Sequence, residues 1–209
     1  MKQMGSKTWV VKLSDMDSIE QVATEVFQCT NCKLCQTRKN TVPGEGSPVT
    51  ELMFIGEAPG RFEDRQGKPF VGSAGKILES ALMKVNIPRS QVFITNVVKC
   101  RPPRNRRPKH DEIEACREYL NRQISLINPK IICILGSTAY SSLLGGKATI
   151  ANRGKILNFG GRRYFLTIHP AAILYKRSLL RALEQDLLEL SRLILREGKA
   201  VSKASCEEE

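Results

Sequence analysis

Three short apolar runs set the frame for this chain. "ELMFIG" (51–56), "QVFITNVV" (91–98) and "PKIICILG" (129–136) each read as a buried strand followed by a polar loop and a segment of helical period. Buried strands alternating with helices predict a parallel sheet with helices on both faces. The expected fold class is therefore α/β: a three-layer α/β/α arrangement around a central, mainly parallel sheet of about four strands. The fourth strand comes from "GKILNFGGRRYFLTIHP", a hairpin-like pair turning at Gly160–Gly161, whose second arm ends at His169. Helices are expected over 15–28, from about Ser73 to Val85, over 111–127, over "STAYSSLL" and over "SLLRALEQDLLELSRLILREG". Residues 1–196 read as one domain that includes the N-terminal helix and a cysteine-bearing loop, with 197–209 a flexible tail. No internal repeats occur.

Charge narrows the partners. With 33 basic and 21 acidic side chains, the net charge is +12 and the pI about 9.6. Part of the excess is concentrated in "KCRPPRNRRPK" (99–109), which contains no acid and reads as a phosphate-contacting surface. No apolar run reaches the roughly 18 residues of a membrane span. The N-terminus lacks the apolar core of a signal peptide. The expectation is an intracellular protein of the cytoplasm or nucleoid, with no membrane partner.

Between the first strand and its helix lies a glycine-rich loop, "GEAPGRFEDRQGKPFVGSAG" (56–75). It lacks the GK[ST] ending of a P-loop, and its carboxylates Glu57, Glu63 and Asp64 would repel phosphates. In open parallel sheets, ligands bind beyond the carboxyl ends of the strands. The polar residues there are Glu57, Asn96 and His169, so three loops bring a carboxyl, an amide and an imidazole to one rim.

Seven cysteines in an intracellular chain are not expected to form a disulfide framework. Cys29 and Cys32 form a C-x-x-C; Cys100 and Cys116 flank the basic loop. Four thiolates from two distant pairs suit zinc or an iron–sulfur cluster. Cys35 lies close enough to replace one of them, so spacing alone does not fix the set. Cys133, inside an apolar run, reads as core; Cys206 reads as part of the tail.

The glycine-rich loop, "TNVVKCRPPRNRRP", the two cysteine pairs and "HPAA" together resemble the family 4 uracil-DNA glycosylases, in order from Cys29 to the final helix. The resemblance implies a monofunctional DNA repair enzyme that extrudes deoxyuridine and hydrolyses its N-glycosidic bond, leaving an abasic site. It implies a structural [4Fe-4S] cluster on Cys29, Cys32, Cys100 and Cys116. The partner is uracil-containing DNA, double-stranded or also single-stranded, met by a monomer whose repair partners the sequence does not name. Phe70 would stack under the base, Asn96 would read the pyrimidine edge, and His169 would donate to uracil O2. Glu57 and Ala58 would line the base pocket, with Glu57 excluding thymine's methyl group and Glu63 a second catalytic carboxylate. A related family has an activating aspartate where this chain has Ala58. DNA-binding candidates are Arg101, Arg104, Arg106, Arg107, Lys176 and Arg177, with Leu174 or Tyr175 filling the emptied stack. Two other readings remain at this point: a non-catalytic, metal-stabilised DNA-binding module, and a glycosylase for another deaminated base such as hypoxanthine.

Overall fold

The computed structural model describes residues 17–204 of the 209. In chain order the elements are α1 (Ile19–Gln28), β1 (Glu45–Gly46), β2 (Leu52–Gly56), α2 (Arg61–Gln66), α3 (Ser73–Lys84), β3 (Phe93–Asn96) and α4 (His110–Ile127). They continue with β4 (Ile131–Leu135), α5 (Ser137–Leu144), β5 (Ile156–Phe159), β6 (Arg162–Thr167), α6 (Pro170–Tyr175) and α7 (Leu179–Ala204). The sheet order is β1-β3-β2-β4-β6-β5. β3, β2, β4 and β6 pair in parallel, and the two edge strands are antiparallel.

The parallel centre matches the expected layout, but the sheet has six strands where about four were expected. The hairpin arm β5 pairs with β6, as its turn at Gly160–Gly161 suggested. β1 spans only Glu45–Gly46 and has too few residues to show a period. Every residue of β2 and β4 is buried, because helices cover both faces. Alternation sorts their side chains. Leu52, Phe54, Ile131 and Cys133 pack towards α3, α6 and α7, while Met53, Ile55, Ile132 and Ile134 pack towards α4 and α5.

Local chemistry explains the helix ends. α1 begins at Ile19, where Ser18 caps it by accepting from the Gln21 N–H at 3.1 Å. The expected start at Asp15 lies outside the described residues, as do the 1–14 segment and Cys206. The glycine-rich loop contains a helix that its composition hid. α2 begins after Gly60 and stops at Gly67, whose φ of 71° suits a left-handed cap. α7 runs to Ala204, past the Gly198 at which the helical period was read to end.

One buried polar knot ties α7 to the end of β6. Asp186 accepts from Thr167 Oγ1 at 2.6 Å and from Arg153 Nη1 at 2.9 Å. Burial raises the Asp186 pKa, while Thr167 and Arg153 pull it back down. Thr167 lies just before His169, so this knot fixes where the last rim residue emerges. Asp186→Ala leaves the hydroxyl and the guanidinium without their acceptor, and is expected to cost about 2–3 kcal/mol of stability. Asp186→Asn, which keeps an acceptor, is expected to cost less; denaturant unfolding of both variants checks this.

Candidate active site

The carboxyl ends of the parallel strands open into a pocket of about 220 Å³. β2 is the first parallel strand, and the chain leaves it for β3 on one side and later returns to β4 on the other. Such a switch point leaves a crevice beyond the strand ends. Glu57, Asn96 and His169 all line it, joined by Ala58, Glu63 and Phe70.

Register explains how Asn96 and Phe70 meet. Gly56 is the partner of Asn96 across the parallel ladder. A Cβ on Gly56 would lie 2.5 Å from Asn96 Oδ1 and 2.7 Å from the Phe70 ring. Glycine therefore leaves the space in which the amide and the aromatic converge. Asn96 is 1% exposed, and its Oδ1 has no hydrogen-bond partner. A buried acceptor of this kind is costly unless a ligand satisfies it.

His169 caps α6, accepting from the Ala171 N–H through Nδ1 at 3.1 Å. That bond makes Nδ1 the unprotonated nitrogen and leaves the proton on Nε2, which is buried without a partner. Burial lowers the imidazole pKa to about 4, against an opposing pull from Glu63. His169 is therefore a neutral donor near pH 7. Its ring centroid lies 5.7 Å from that of Phe70, at a 35° tilt. Gly136 permits this packing, since a Cβ there would fall 2.8 Å from His169 Cβ.

The two carboxylates differ. Glu63 is buried, not a solvated loop acid; its Oε1 accepts from the N–H groups of Val71 at 3.0 Å and Gly72 at 2.8 Å. Glu57 is half-buried on the pocket wall and, among the described residues, its carboxylate makes no hydrogen bond or ion pair. Ala58 lines the wall beside it and brings no acid.

The basic loop reaches the same mouth. Pro102, Asn105 and Arg106 line the pocket, although sequence reasoning grouped Arg106 only with outer cations and passed over Asn105. Both follow closely on Pro102 and Pro103, in the proline-fixed segment that leaves the end of β3, which was the available signal. Arg106 is not a free cation: it makes a two-pronged pair with buried Glu112 at 2.8 and 2.6 Å. Arg101 donates to Asn105 Oδ1 at 2.8 Å. Arg104, Arg107, Lys176 and Arg177 are exposed, as are Leu174 and Tyr175, the latter at 92%.

Behind this loop Cys29, Cys32, Cys35, Cys100 and Cys116 all line one small pocket. Among the described residues, no group of three or more His, Cys, Asp or Glu is set to hold a single metal ion. The donor set is nevertheless all sulfur, which suits zinc or iron–sulfur chemistry. Arg38 Nη1 donates to Cys100 Sγ at 3.2 Å. Burial pushes the Cys100 thiol up to about 11, with Arg38 pulling it down. Cys133 is fully buried in β4, as expected of a core residue.

A family model described as the uracil DNA glycosylase superfamily matches residues 43–190. The chain belongs to that superfamily. It is 48% identical over 194 residues to a type-4 uracil-DNA glycosylase of Sulfurisphaera tokodaii, covering 86% of each chain. It is 46% identical over 193 residues to one from Saccharolobus solfataricus, covering 86% of this chain and 88% of that one. A third, from Thermotoga maritima, is 42% identical over 185 residues, covering 86% and 96% respectively. No helix among the described residues is long and apolar enough to cross a membrane.

The low His169 pKa carries a stability signature. The unfolded imidazole takes up a proton near pH 6.5, the folded one only near pH 4. Between those values the unfolded state binds more protons, so stability falls as pH is lowered through that window. His169→Gln removes this contribution. Its stability loss between pH 7 and 4.5 is expected to be smaller than wild type by on the order of 2 kcal/mol, read by denaturant unfolding at each pH.

Proposed function

We propose that this protein removes uracil from DNA by hydrolysing the N-glycosidic bond of a flipped deoxyuridine, as a type-4 uracil-DNA glycosylase does by name. The observation that carries the reading is the pair of orphaned polar atoms in one pocket, Asn96 Oδ1 and His169 Nε2. One is an acceptor and the other a donor. Uracil offers an N3–H to the first and O2 to the second.

Asn96 is assigned to recognition. Its Oδ1 accepts from N3–H and its NH₂ donates to O4, whereas cytosine carries an acceptor at N3 and a donor at N4. A cytosine in this pocket would leave buried polar groups unpaired, the strongest kind of discrimination available to a hydrogen-bonding site. Phe70 supplies the stacking face. Glu57, beside the base, is assigned to excluding the thymine methyl.

The C1′–N1 bond breaks with its electron pair passing to uracil, and positive charge develops on the sugar. His169 donates from Nε2 to O2 as negative charge grows there, so the bond strengthens on the way to the transition state. A water oxygen then bonds to C1′, and the proton it loses is balanced by protonation of the departed uracil anion. With no acid at Ala58 and Glu63 engaged with backbone amides, Glu57 is the carboxylate left free to orient that water and steady the cationic sugar. Glu63, read from sequence as a second catalytic carboxylate, is assigned to holding the loop that carries Phe70.

Exposed Arg104, Arg107, Lys176 and Arg177, with Arg101 at the loop's root, are assigned to the DNA backbone. Leu174 or Tyr175, at the end of α6, is assigned to the gap the base leaves. The four thiols are assigned to an iron–sulfur cluster on Cys29, Cys32, Cys100 and Cys116. Bound there, it would supply a structural tie between the Cys29–Cys32 segment, the basic loop and α4. A monomer acting on chromosomal DNA in the cytoplasm or nucleoid fits the +12 charge.

A non-catalytic DNA-binding module would have no use for two orphaned polar atoms beside an aromatic face. The test is release of uracil from a labelled duplex with one U:G pair, with abasic sites revealed by hot alkali. Wild type is expected to act without added Mg²⁺, and Asn96→Asp to lose about 100-fold or more. No release by the folded wild type would overturn the reading, and release of hypoxanthine in preference to uracil would redirect it. Cys116→Ser is expected to reduce bound iron per chain and lower the melting temperature by on the order of 10 °C. Iron assay and thermal melting check this without reference to activity.

A further inference from the structure

Phe70 has a backbone conformation that side chains rarely adopt. Its φ is +51°, in the left-handed region, where Cβ is crowded by the following carbonyl. Such a residue keeps its place only where its surroundings over-determine it.

Two contacts of that kind belong to the pocket loop and the start of α3. Glu63 holds the N–H groups of Val71 and Gly72. Gly75 lies against the Phe70 peptide so closely that a Cβ there would fall 1.8 Å from Phe70 O. The third contact comes from outside both. Arg89, in the tight turn Arg89–Gln91 between α3 and β3, donates from Nη2 to Pro69 O at 2.5 Å and from Nη1 to Phe70 O at 3.4 Å. Its guanidinium is in turn steadied by Glu45 Oε2 on β1, at 3.4 Å. Glu45 also pairs with Lys68 at 2.9 Å. An anion thus holds the amides on one side of Phe70, and a cation holds the carbonyls on the other.

We infer that Arg89 is a positioning residue for base stacking, fixing the Pro69 and Phe70 carbonyls so that the Phe70 ring faces the pocket beside His169. The inference rests on the reading of that pocket as the base site. Arg89 does not line the pocket and touches no reacting atom; it acts through Phe70. A planar fork with several donors suits two successive carbonyls, which a lysine's single ammonium matches less well. Without it, the Phe70 peptide is free to relax to negative φ, which turns the ring out of line.

Single-turnover uracil release by wild type, Arg89→Met, Arg89→Lys, Phe70→Ala and the double variant Arg89→Met/Phe70→Ala tests this. Arg89→Met is expected to be slower by about 10- to 100-fold, with Arg89→Lys recovering part of the loss. The double variant is expected to be no slower than Phe70→Ala alone, because a residue acting through Phe70 has nothing left to position. Affinity for a uracil-free duplex is expected to stay unchanged. Losses that multiply in the double variant would overturn the inference, as would a wild-type rate for Arg89→Met. Weakened binding to the uracil-free duplex would reassign Arg89 to a phosphate contact. If Arg89→Met does not fold, Glu45→Gln loosens the same arginine, and its smaller loss is expected to vanish in the Phe70→Ala background. A loss that persists there overturns the inference too. Failure of wild type to release uracil is a separate result, and counts against the base-site reading itself.

Discussion

The site depends on a missing methyl group. Gly56 ends β2 in register with Asn96 at the end of β3, and both Asn96 Oδ1 and the Phe70 ring occupy the space where a Cβ would project. A side chain at that position would force the Asn96 amide and the Phe70 ring apart. The parallel ladder is what makes the approach reproducible. Its register is fixed along buried strands, where a one-residue slip would turn the apolar set to the wrong face. The packed core thereby determines the distance between two pocket groups.

Support for those groups comes from the far side of the sheet. Lys99, 1% exposed, places its ammonium against the Asn96 carbonyl at 2.9 Å, Thr95 Oγ1 at 2.7 Å and Gln123 Oε1 at 2.6 Å. Three acceptors offset a burial that lowers its pKa to about 7. Next to it, Cys100 begins the basic loop, and the Lys99 carbonyl accepts from the Val42 N–H at 2.7 Å. The segment after the first cysteines also grips the pocket loop, with Asp64 Oδ1 accepting from the Lys39 N–H at 2.9 Å. The thiol pocket, the basic loop and the pocket beyond the strand ends are therefore braced by the same short stretches of chain. A metal group held by these cysteines would tighten all of them together.

What could be read from the sequence follows from the range of each interaction. The buried strands, α5 and the rim positions Glu57, Asn96 and His169 are local in origin, set by apolar runs and the residues that end them. β1 could not be read, because a pairing of Glu45–Gly46 with Phe93 and Ile94 is decided by distant chain. α2 was concealed by the glycines that bound it. The character of Glu63 was likewise hidden: its neighbours Phe62, Asp64 and Arg65 suggest an exposed loop, and only the tertiary return of Val71 and Gly72 buries it. Arg106 looked like one more surface cation because its partner, Glu112, lies beyond the prolines on the first turn of α4.

The arrangement separates two electrostatic tasks. Inside the pocket, burial keeps His169 neutral, so what faces the cavity is an N–H dipole fixed by the Ala171 amide. A full positive charge there would attract any anion, including phosphate, before reaction. A fixed dipole gains most where charge develops, and it needs no reorganisation when the bond breaks. The full charges of Arg104, Arg107, Lys176 and Arg177 sit outside, exposed. Solvent and salt screen charges so exposed, so on the proposed reading they would govern encounter and affinity for the polyanion more than the rate at the sugar. Salt should therefore act on this protein chiefly through DNA binding, while the chemistry inside depends on groups that salt does not reach.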